Sequence, residues 1–272
     1  MNTAEPVGRS VRRPVPSPVV VAAVLIAVAV VLTLVITGNE HHSGPPKPDA
    51  LGQAAPGTWP GDTGTGTDFR AGDADLVVLD GVSGKIQVSA DPDAHTVSGT
   101  FDATDPGHGQ LARIGAVADR ADGPHALTIA CADANDVAMP CAGNLAITVP
   151  EHTGLRLRQT SGETELSGIG GELTVSVASD RFTAQDLRAA RAAVTVVSGS
   201  ADLGFAAAPD SLAVHTTSAS TTLRLPAGDG SGYAVTTAAT SADVQVQVPR
   251  RDDAPHKLSL QVLSGSLAVL PA

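Results

Sequence analysis

The sequence predicts an all-β protein: a β-solenoid of single-stranded coils, similar to a parallel β-helix, that follows one N-terminal transmembrane helix. One observation is a serine-centred phrase that recurs between Leu155 and Ala272, with its serines 18, 19, 20, 23 and 23 residues apart. A self-similar unit of about 20 residues with two short strands is typical of a stacked solenoid. The second observation is the composition, since 42% hydrophobic but only 2% aromatic residues suit a narrow interior. The alternative is an antiparallel β-sandwich in which each serine lies in a hairpin turn.

The alternation on either side of each serine predicts which side chains are buried. In the run Leu155–Arg158, the leucines and the arginines fall on opposite faces, so the leucines point inward and the arginines point to water. Glu163 and Glu165 follow on the exposed side, where we expect them near these arginines as weak surface ion pairs.

Each serine is predicted to mark a corner of the coil. A following glycine can adopt a positive φ, and the serine can hydrogen-bond to the backbone of its own turn. A run with the same pattern, Leu76–Val88, is expected to form the first coil. In three of the later repeats the glycine is replaced, by Asp180, Ala219 and Ala242. The predicted corner residues are Ser83, Gly84, Ser161, Gly162, Ser179, Ser198, Gly199, Ser218, Ser241, Ser264 and Gly265.

The N-terminal region predicts a membrane anchor. Residues Val19–Ile36 form an apolar run whose only polar member is Thr33, long enough to cross a bilayer, and the transmembrane helix is placed at 19–37. Three arginines precede it, so the tail 1–18 is expected in the cytoplasm and the rest of the chain outside the cell. A cleaved signal peptide is the competing interpretation, but Ile36-Thr-Gly38 is a poor cleavage site.

The remainder divides into a linker and a folded domain. Residues 38–72 are rich in Gly, Pro and Thr and are expected to form a disordered tether, followed by the extracytoplasmic domain at 73–272. The chain has a net charge of −11. Such an acidic chain argues against nucleic acid as a partner.

Cys131 and Cys141 are the only cysteines, and they flank a short loop. Exported proteins live in oxidising surroundings, so a disulfide between them is expected. A metal site would need further soft ligands nearby.

Signatures of catalysis and of cofactor binding are absent from the sequence. It contains no G-x-S-x-G, no H-E-x-x-H and no phosphate-binding loop, and its histidines are scattered. We therefore predict no catalytic residues, no cofactor, no metal and no enzymatic activity.

The recurring V-x-x-x-S-G-x-x-x-L phrase, the strand-ending Ile147–Pro150 and the run LRLRQTSGETELSGIGGELTVSV resemble a bacterial family. It is the putative-adhesin family of domains of unknown function, similar to head-GIN-type β-solenoids. The resemblance covers Asp73–Ala272 and implies an all-β coil in the cell envelope with an adhesive or scaffolding role. It supplies no catalytic residues.

Together these observations predict a non-catalytic, single-pass membrane protein of the cell envelope that presents its domain to an envelope or surface ligand. Its other expected partner is the lipid bilayer, through residues 19–37. The alternative function is an extracytoplasmic sensor or regulatory module of an envelope signalling system, with the tail 1–18 contacting a cytoplasmic partner.

Overall fold

The computed structural model describes residues 66–71, 74–104, 112–114, 126–131, 140–227 and 230–272. All of them belong to the compact unit Ala54–Ala272. The predicted cytoplasmic tail, the helix at 19–37 and most of the predicted linker lie outside the described residues. Within the described ranges, no helix has the length and hydropathy needed to span a membrane.

The described part of the chain is all-β and contains thirteen strands. They are β1 (Gly66–Arg70), β2 (Leu76–Asp80), β3 (Val82–Asp91), β4 (Ser98–Ala103), β5 (Ala112–Ile114), β6 (Ala126–Cys131), β7 (Cys141–Pro150), β8 (Gly154–Ser167), β9 (Leu173–Leu187), β10 (Arg191–Phe205), β11 (Ser211–Leu225), β12 (Tyr233–Val246) and β13 (His256–Pro271). β1 lies inside the segment for which the sequence predicts a disordered linker. Phe69, the apolar residue of that strand, is buried, and β1 pairs with β4, so the ordered chain begins before Asp73.

All strands join one sheet, whose main path runs β1-β4-β7-β3-β8-β9-β10-β11-β13-β12. From β7 to β12 every neighbouring pair on this path is parallel. The pairs β1–β4 and β4–β7 are antiparallel. Hairpins at the serines would require antiparallel pairing there, whereas each serine lies inside one long strand of the parallel stack.

The register aligns the recurring serines in one row across the sheet. Ser161 pairs with Ser179, and the row continues through Ser198, Ser218 and Ser264 to Ser241. In the first repeat Gly84 pairs with Gly162, which places Ser83 beside Ser161. A slip of one residue would turn every apolar side chain to the wrong face, so the hydrophobic pattern holds this register.

The alternation of buried and exposed residues changes phase at each serine. In β10 the buried side chains are Ala192, Val194 and Val196 before Ser198, and Ala201, Leu203 and Phe205 after it. In β8, Leu155 and Leu157 are buried while Arg156 and Arg158 are exposed, as the alternation predicts. The core is built mainly from Val, Leu, Ile and Ala, which fit the short distance between neighbouring chain segments.

From β8 to β12, glycine and non-glycine residues alternate along the row that follows the serines. Gly162, Gly199 and Gly265 have φ of 141°, 104° and 100°, whereas Asp180, Ala219 and Ala242, which lie beside them, do not have a positive φ. A Cβ on Gly199 would stand 2.1 Å from the carbonyl oxygen of Asp180. The corner is therefore not uniform, because each of these glycines accommodates the backbone of a neighbouring strand.

The order of strands in space departs from their order in the chain at both ends. β13, the last strand, lies between β11 and β12. At the other end β3 lies between β7 and β8, and β2 lies between β6 and β8. β2, β3 and β13 thus each have a parallel neighbour on both sides.

The cysteines flank an insertion at one corner. Ala130 pairs with Asp80 and Cys141 pairs with Val82, so ten residues of sequence separate the first two positions while only Gly81 separates their partners. Cys141 is disulfide-bonded. The side chain of Cys131 lies outside the described residues, so its pairing with Cys141 stays a prediction.

Candidate functional site: the outer faces of the stacked strands

Two outward-facing surfaces run across the parallel stack, one on each side of the serine row. We call them the first face, formed by the residues of β8–β13 that precede the serines, and the second face, formed by those that follow the serines together with β3. Neighbouring strands lie about 4.8 Å apart, so in-register side chains form rows with that spacing.

The first face consists of two rows of mostly small and uncharged side chains. One row contains Arg156, Thr174, Ala193, Ala213, Ser259 and Thr236. The other contains Arg158, Ser176, Thr195, His215, Gln261 and Ala238. Since eight of these twelve side chains are short, another molecule can approach the sheet closely between the four longer ones.

A shallow depression lies on this face around His215. It has a volume of about 110 Å³ and is lined by Ala193, Val194, Thr195, Ala213, Val214, His215, Ser259 and Gln261. Pockets for small molecules usually measure about 300–1,000 Å³, so this depression can hold a single side group of a larger ligand.

Two arginines stand at one end of the first face. Arg156 and Arg158 are exposed and make no ion pair with a described residue. The register places Val78 beside Arg156, and Asp80 beside Arg158. The predicted proximity of Glu163 and Glu165 to these arginines is wrong in the case of Glu165, since Glu165 lies beyond the corner and pairs elsewhere. The arginines therefore keep their guanidinium donors for other acceptors.

The second face carries the ion pairs. Glu165 accepts hydrogen bonds from Gln87 Nε2 and from Lys85 Nζ, the latter at 3.1 Å, and these contacts hold the pKa of the Glu165 carboxyl below its usual value. Farther along, Arg224 pairs with Asp202. Exposed pairs of this kind contribute little to stability but neutralise the face locally.

The row of serines is held by structural hydrogen bonds. Ser198 Oγ donates to the carbonyl oxygen of Ala178 at 2.8 Å and lies 3.1 Å from Ser179 Oγ. Ser83 Oγ donates to the carbonyl oxygen of Cys141 at 2.9 Å. A nucleophilic serine needs a neighbouring base to remove its proton. These three hydroxyls instead contact carbonyl groups and each other.

A buried polar cluster lies behind the row, and the sequence analysis missed it. Thr164 Oγ1 lies 2.8 Å from Asp180 Oδ2 and also bonds Gln159 Oε1, while Gln159 Nε2 donates to the carbonyl oxygen of Gly84 at 2.8 Å. Burial raises the pKa of the Asp180 carboxyl. The Thr164 hydroxyl lies between two acceptors, and its hydrogen bond to Asp180 partly offsets the effect of burial on the pKa of that carboxyl. The signal in the sequence was Gln159 and Thr164 at inward positions of the alternation.

Metal ligands do not converge in the described part of the chain. No group of three or more His, Cys, Asp or Glu side chains there could hold a metal ion. The arrangement that remains for function is the pair of outer faces.

No protein-family model and no curated protein matches the chain. Among solved structures it is similar to that of a putative cell adhesion protein from Clostridium sporogenes, with 9% identity and a TM-score of 0.42 over 76% of this chain and 100% of the other. It is also similar to a putative adhesin from Bacteroides fragilis, with 12% identity and a TM-score of 0.37 over 75% and 96% of the two chains. A putative adhesin from Parabacteroides distasonis shows 13% identity and a TM-score of 0.26 over 76% and 98%. Because each TM-score is below 0.5, the function of this chain has to be argued from its own geometry.

Proposed function

We propose that the protein is a non-catalytic adhesin or surface scaffold of the cell envelope, and that its first face binds an extended ligand. The observation that carries the proposal is the first face itself. Its two rows of outward side chains cross six strands and end at Arg156 and Arg158. Neither arginine forms an ion pair with a described residue, although Asp80 lies in register beside Arg158.

The shape of the first face favours a long ligand over a compact one. Six strands at about 4.8 Å cover on the order of 25 Å, and the depression around His215 is too small to enclose a metabolite. An extended polymer can instead contact several strands at once, and its individually weak contacts add up along the row.

The chemistry at one end of the face favours an anionic ligand. A guanidinium group binds carboxylate or phosphate with two parallel hydrogen bonds, and Arg156 and Arg158 both have free donors. The net charge of −11 opposes binding of polyanions elsewhere on the protein. An envelope polysaccharide with spaced carboxylate or phosphate groups fits this combination better than nucleic acid, whose charge is dense.

We further propose that the parallel strands form the coils of a β-solenoid. The change of phase at each serine turns the apolar residues of both halves of a strand toward a common interior, as in β10. Successive coils then stack in register, which keeps the rows of the first face straight.

The location belongs to the same proposal. The apolar run Val19–Ile36 and the arginines before it support a single membrane-spanning helix with a cytoplasmic N-terminus. Protease added to intact, wall-stripped cells should then digest the C-terminal domain. A domain that stays protected, while a known surface protein is digested, would contradict this orientation.

The binding proposal is tested with the double variant Arg156→Ala/Arg158→Ala and purified wall polysaccharide. Hydrogen bonds to charged groups contribute about 1.5–3 kcal/mol, so we expect the apparent Kd in a co-sedimentation assay to rise at least about tenfold. The matched control is Arg188→Ala/Arg224→Ala, because those two arginines are exposed but paired with Glu151 and Asp202.

Equal binding by both double variants would contradict the first face as the site. The same incubations decide between binding and catalysis, because soluble polysaccharide fragments are measured over time. Fragments that accumulate with the wild-type protein, and not with a variant of one acidic residue or arginine, would show an enzyme.

A further inference from the structure

β12, the last strand on the main path of the sheet, has an open edge. Among the described strands it pairs only with β13. Its first residue is covered on the far side, because the Tyr233 amide donates to Pro249 O at 2.9 Å and the Tyr233 carbonyl accepts from the Arg251 amide at 3.0 Å. From Ala234 to Val246 no described strand lies along that side, and one side chain contacts the edge, since Arg250 Nη2 donates to the Val246 carbonyl oxygen at 3.4 Å.

The end of the hydrophobic core is also uncovered at β12. Its inward-facing residues align with residues of β13 that are at most 2% exposed: Leu258, Leu260, Val262, Leu267 and Val269. Their counterparts in β12 are half-buried or exposed: Val235, Thr237, Ala239, Val244 and Val246. A further strand on this edge would bury these side chains as β11 and β12 bury those of β13.

The usual protection of an open edge is missing. Proteins normally guard such strands with lysine, proline or inward-pointing charges. The segment 234–242 of β12 contains only Ala, Val, Thr and Ser, and Asp243 is the one charged residue of the strand. The edge is therefore suited to pair with another strand.

We propose that β12 pairs with β12 of a second copy of this chain, antiparallel and around a two-fold axis at the corner between Thr240 and Ser241. This axis pairs the half of β12 before the corner with the half after the corner in the second copy, so the corners of the two strands coincide. Inward positions then meet inward positions, because the phase changes at the corner. The opposed pairs are Val235 with Val246, Thr237 with Val244, and Ala239 with Ala242.

The charges fit this arrangement. Asp243 faces Ala238 of the second copy, and the two Asp243 carboxylates stand on the order of 15 Å apart, which is beyond the screening length at physiological salt. Arg250, Arg251, Asp252 and Asp253, which follow beside Tyr233, carry no net charge together, so two molecules of net charge −11 can approach each other through this end.

A head-to-tail contact fits the open edge less well. The strand at the other end of the main path, β1, has only five residues, Gly66–Arg70, and its one described neighbour, β4, runs antiparallel to it. Pairing with β1 would leave most of the β12 edge and more than half of the uncovered core residues exposed. The two-fold contact covers all of them.

The register is tested by disulfide cross-linking of the full chain in detergent solution. Thr236 and Gln245 are exposed and face each other across the proposed interface. Directly opposed Cβ atoms lie about 4.5–5.5 Å apart, which is close enough for a disulfide after small adjustments, while diagonal neighbours lie about 7–8 Å apart. We expect a cross-linked dimer when Thr236→Cys is mixed with Gln245→Cys, and none from either variant alone.

The matched control mixes Thr236→Cys with Gln247→Cys, which is two residues out of register and should remain monomeric on a denaturing gel. The parent chain is oxidised in parallel to account for its native cysteines. Equal cross-linking in the Gln245 and Gln247 mixtures, or none in either, would overturn the proposal.

Loss of association is tested with Ala239→Lys. Like charges brought together at an interface cost several kcal/mol, so the dimer dissociation constant from sedimentation should rise at least about 100-fold. Ala239 is exposed in the single copy, so the circular dichroism of the fold should be unchanged. A wild-type chain that is monomeric at all concentrations, or a dimer that persists unchanged in a folded Ala239→Lys variant, would refute the two-fold contact. If this variant fails to fold, the cross-linking result alone decides.

Discussion

Replacing Gly199 by alanine tests the alternation of glycine and non-glycine residues along the corner row. Gly199 has a φ of 104°, which an L-residue rarely adopts. An added Cβ would stand 2.1 Å from the carbonyl oxygen of Asp180 and 3.1 Å from its carbonyl carbon and amide nitrogen. The clash is with backbone in the middle of β9, so it cannot be relieved by rotating a side chain.

The expected loss of stability comes from the unfavourable φ and from the clash of the added Cβ with the Asp180 backbone. Holding a non-glycine residue in a sparsely populated backbone region costs about 1–3 kcal/mol. Displacing the Asp180 carbonyl adds to that cost, so we expect Gly199→Ala to lower the free energy of unfolding by at least about 2 kcal/mol. For a domain of this size each kcal/mol shifts Tm by about 2–4 °C, so Tm should fall by at least about 4 °C.

The control lies in the same strand. Gly204 has no positive φ, and a Cβ there would meet its nearest atom, the carbonyl oxygen of Ala184, at 3.7 Å, an ordinary contact. We expect Gly204→Ala to be neutral or to raise stability by up to about 1 kcal/mol, because it reduces the freedom of the unfolded chain. Equilibrium urea unfolding of both variants gives the comparison. Equal stability of the two variants would refute the steric account of the corner.

Three further outcomes are expected. Leu225→Ala removes a fully buried side chain and should lower the free energy of unfolding by about 2–5 kcal/mol. Arg224→Ala, which removes an exposed ion pair one residue earlier, should lower it by under about 1 kcal/mol. Similar urea midpoints for the two variants would contradict the assigned faces. Folding raises the pKa of Asp180 above its ordinary value of 3.8, so the folded state binds more protons and this residue destabilises the fold increasingly as pH rises above about 4. The stability gain of Asp180→Asn over wild type should therefore be larger at pH 7 than at pH 4, and a pH-independent difference would count against a raised pKa. Reduction of the disulfide predicted between Cys131 and Cys141 should lower the free energy of unfolding by roughly 2–3 kcal/mol, which is measured as a lower urea midpoint in the presence of reductant. An unchanged midpoint would show that no disulfide closes this loop.

Local alternation was sufficient to predict the strands of the repeats and their buried faces. The Leu155–Arg158 run has the burial that its pattern predicts, and Gly84 aligns with Gly162 because both repeats carry the same phrase. Such features depend on residues a few positions apart, and a period of two is unambiguous over a long strand.

The order of the strands could not be predicted in the same way, because it depends on contacts between distant segments. One signal was present nevertheless. Neither Ala219 nor Ala242 is a glycine, so β11 and β12 as direct neighbours would place two non-glycine corners side by side. With β13 between them, Gly265 separates Ala219 from Ala242 and the alternation continues. Gln159 and Asp180 were missed for a related reason. The role of a polar residue at an inward position depends on its partner in another strand, which is Thr164 for Asp180 and Gly84 for Gln159.

The position of β13 between β11 and β12 has a mechanical consequence. Its residues pair with β11 on one side and with β12 on the other, from Lys257 to Val269. A force that draws the C-terminus along the strand loads both ladders in shear, so many hydrogen bonds must break together. A chain that ended at Pro249 would lose the strand that joins β12 to the rest of the sheet. Because β12 precedes β13 in the chain but pairs with it in the sheet, β12 gains its strand partner only after β13 is in place, so these coils do not form in chain order.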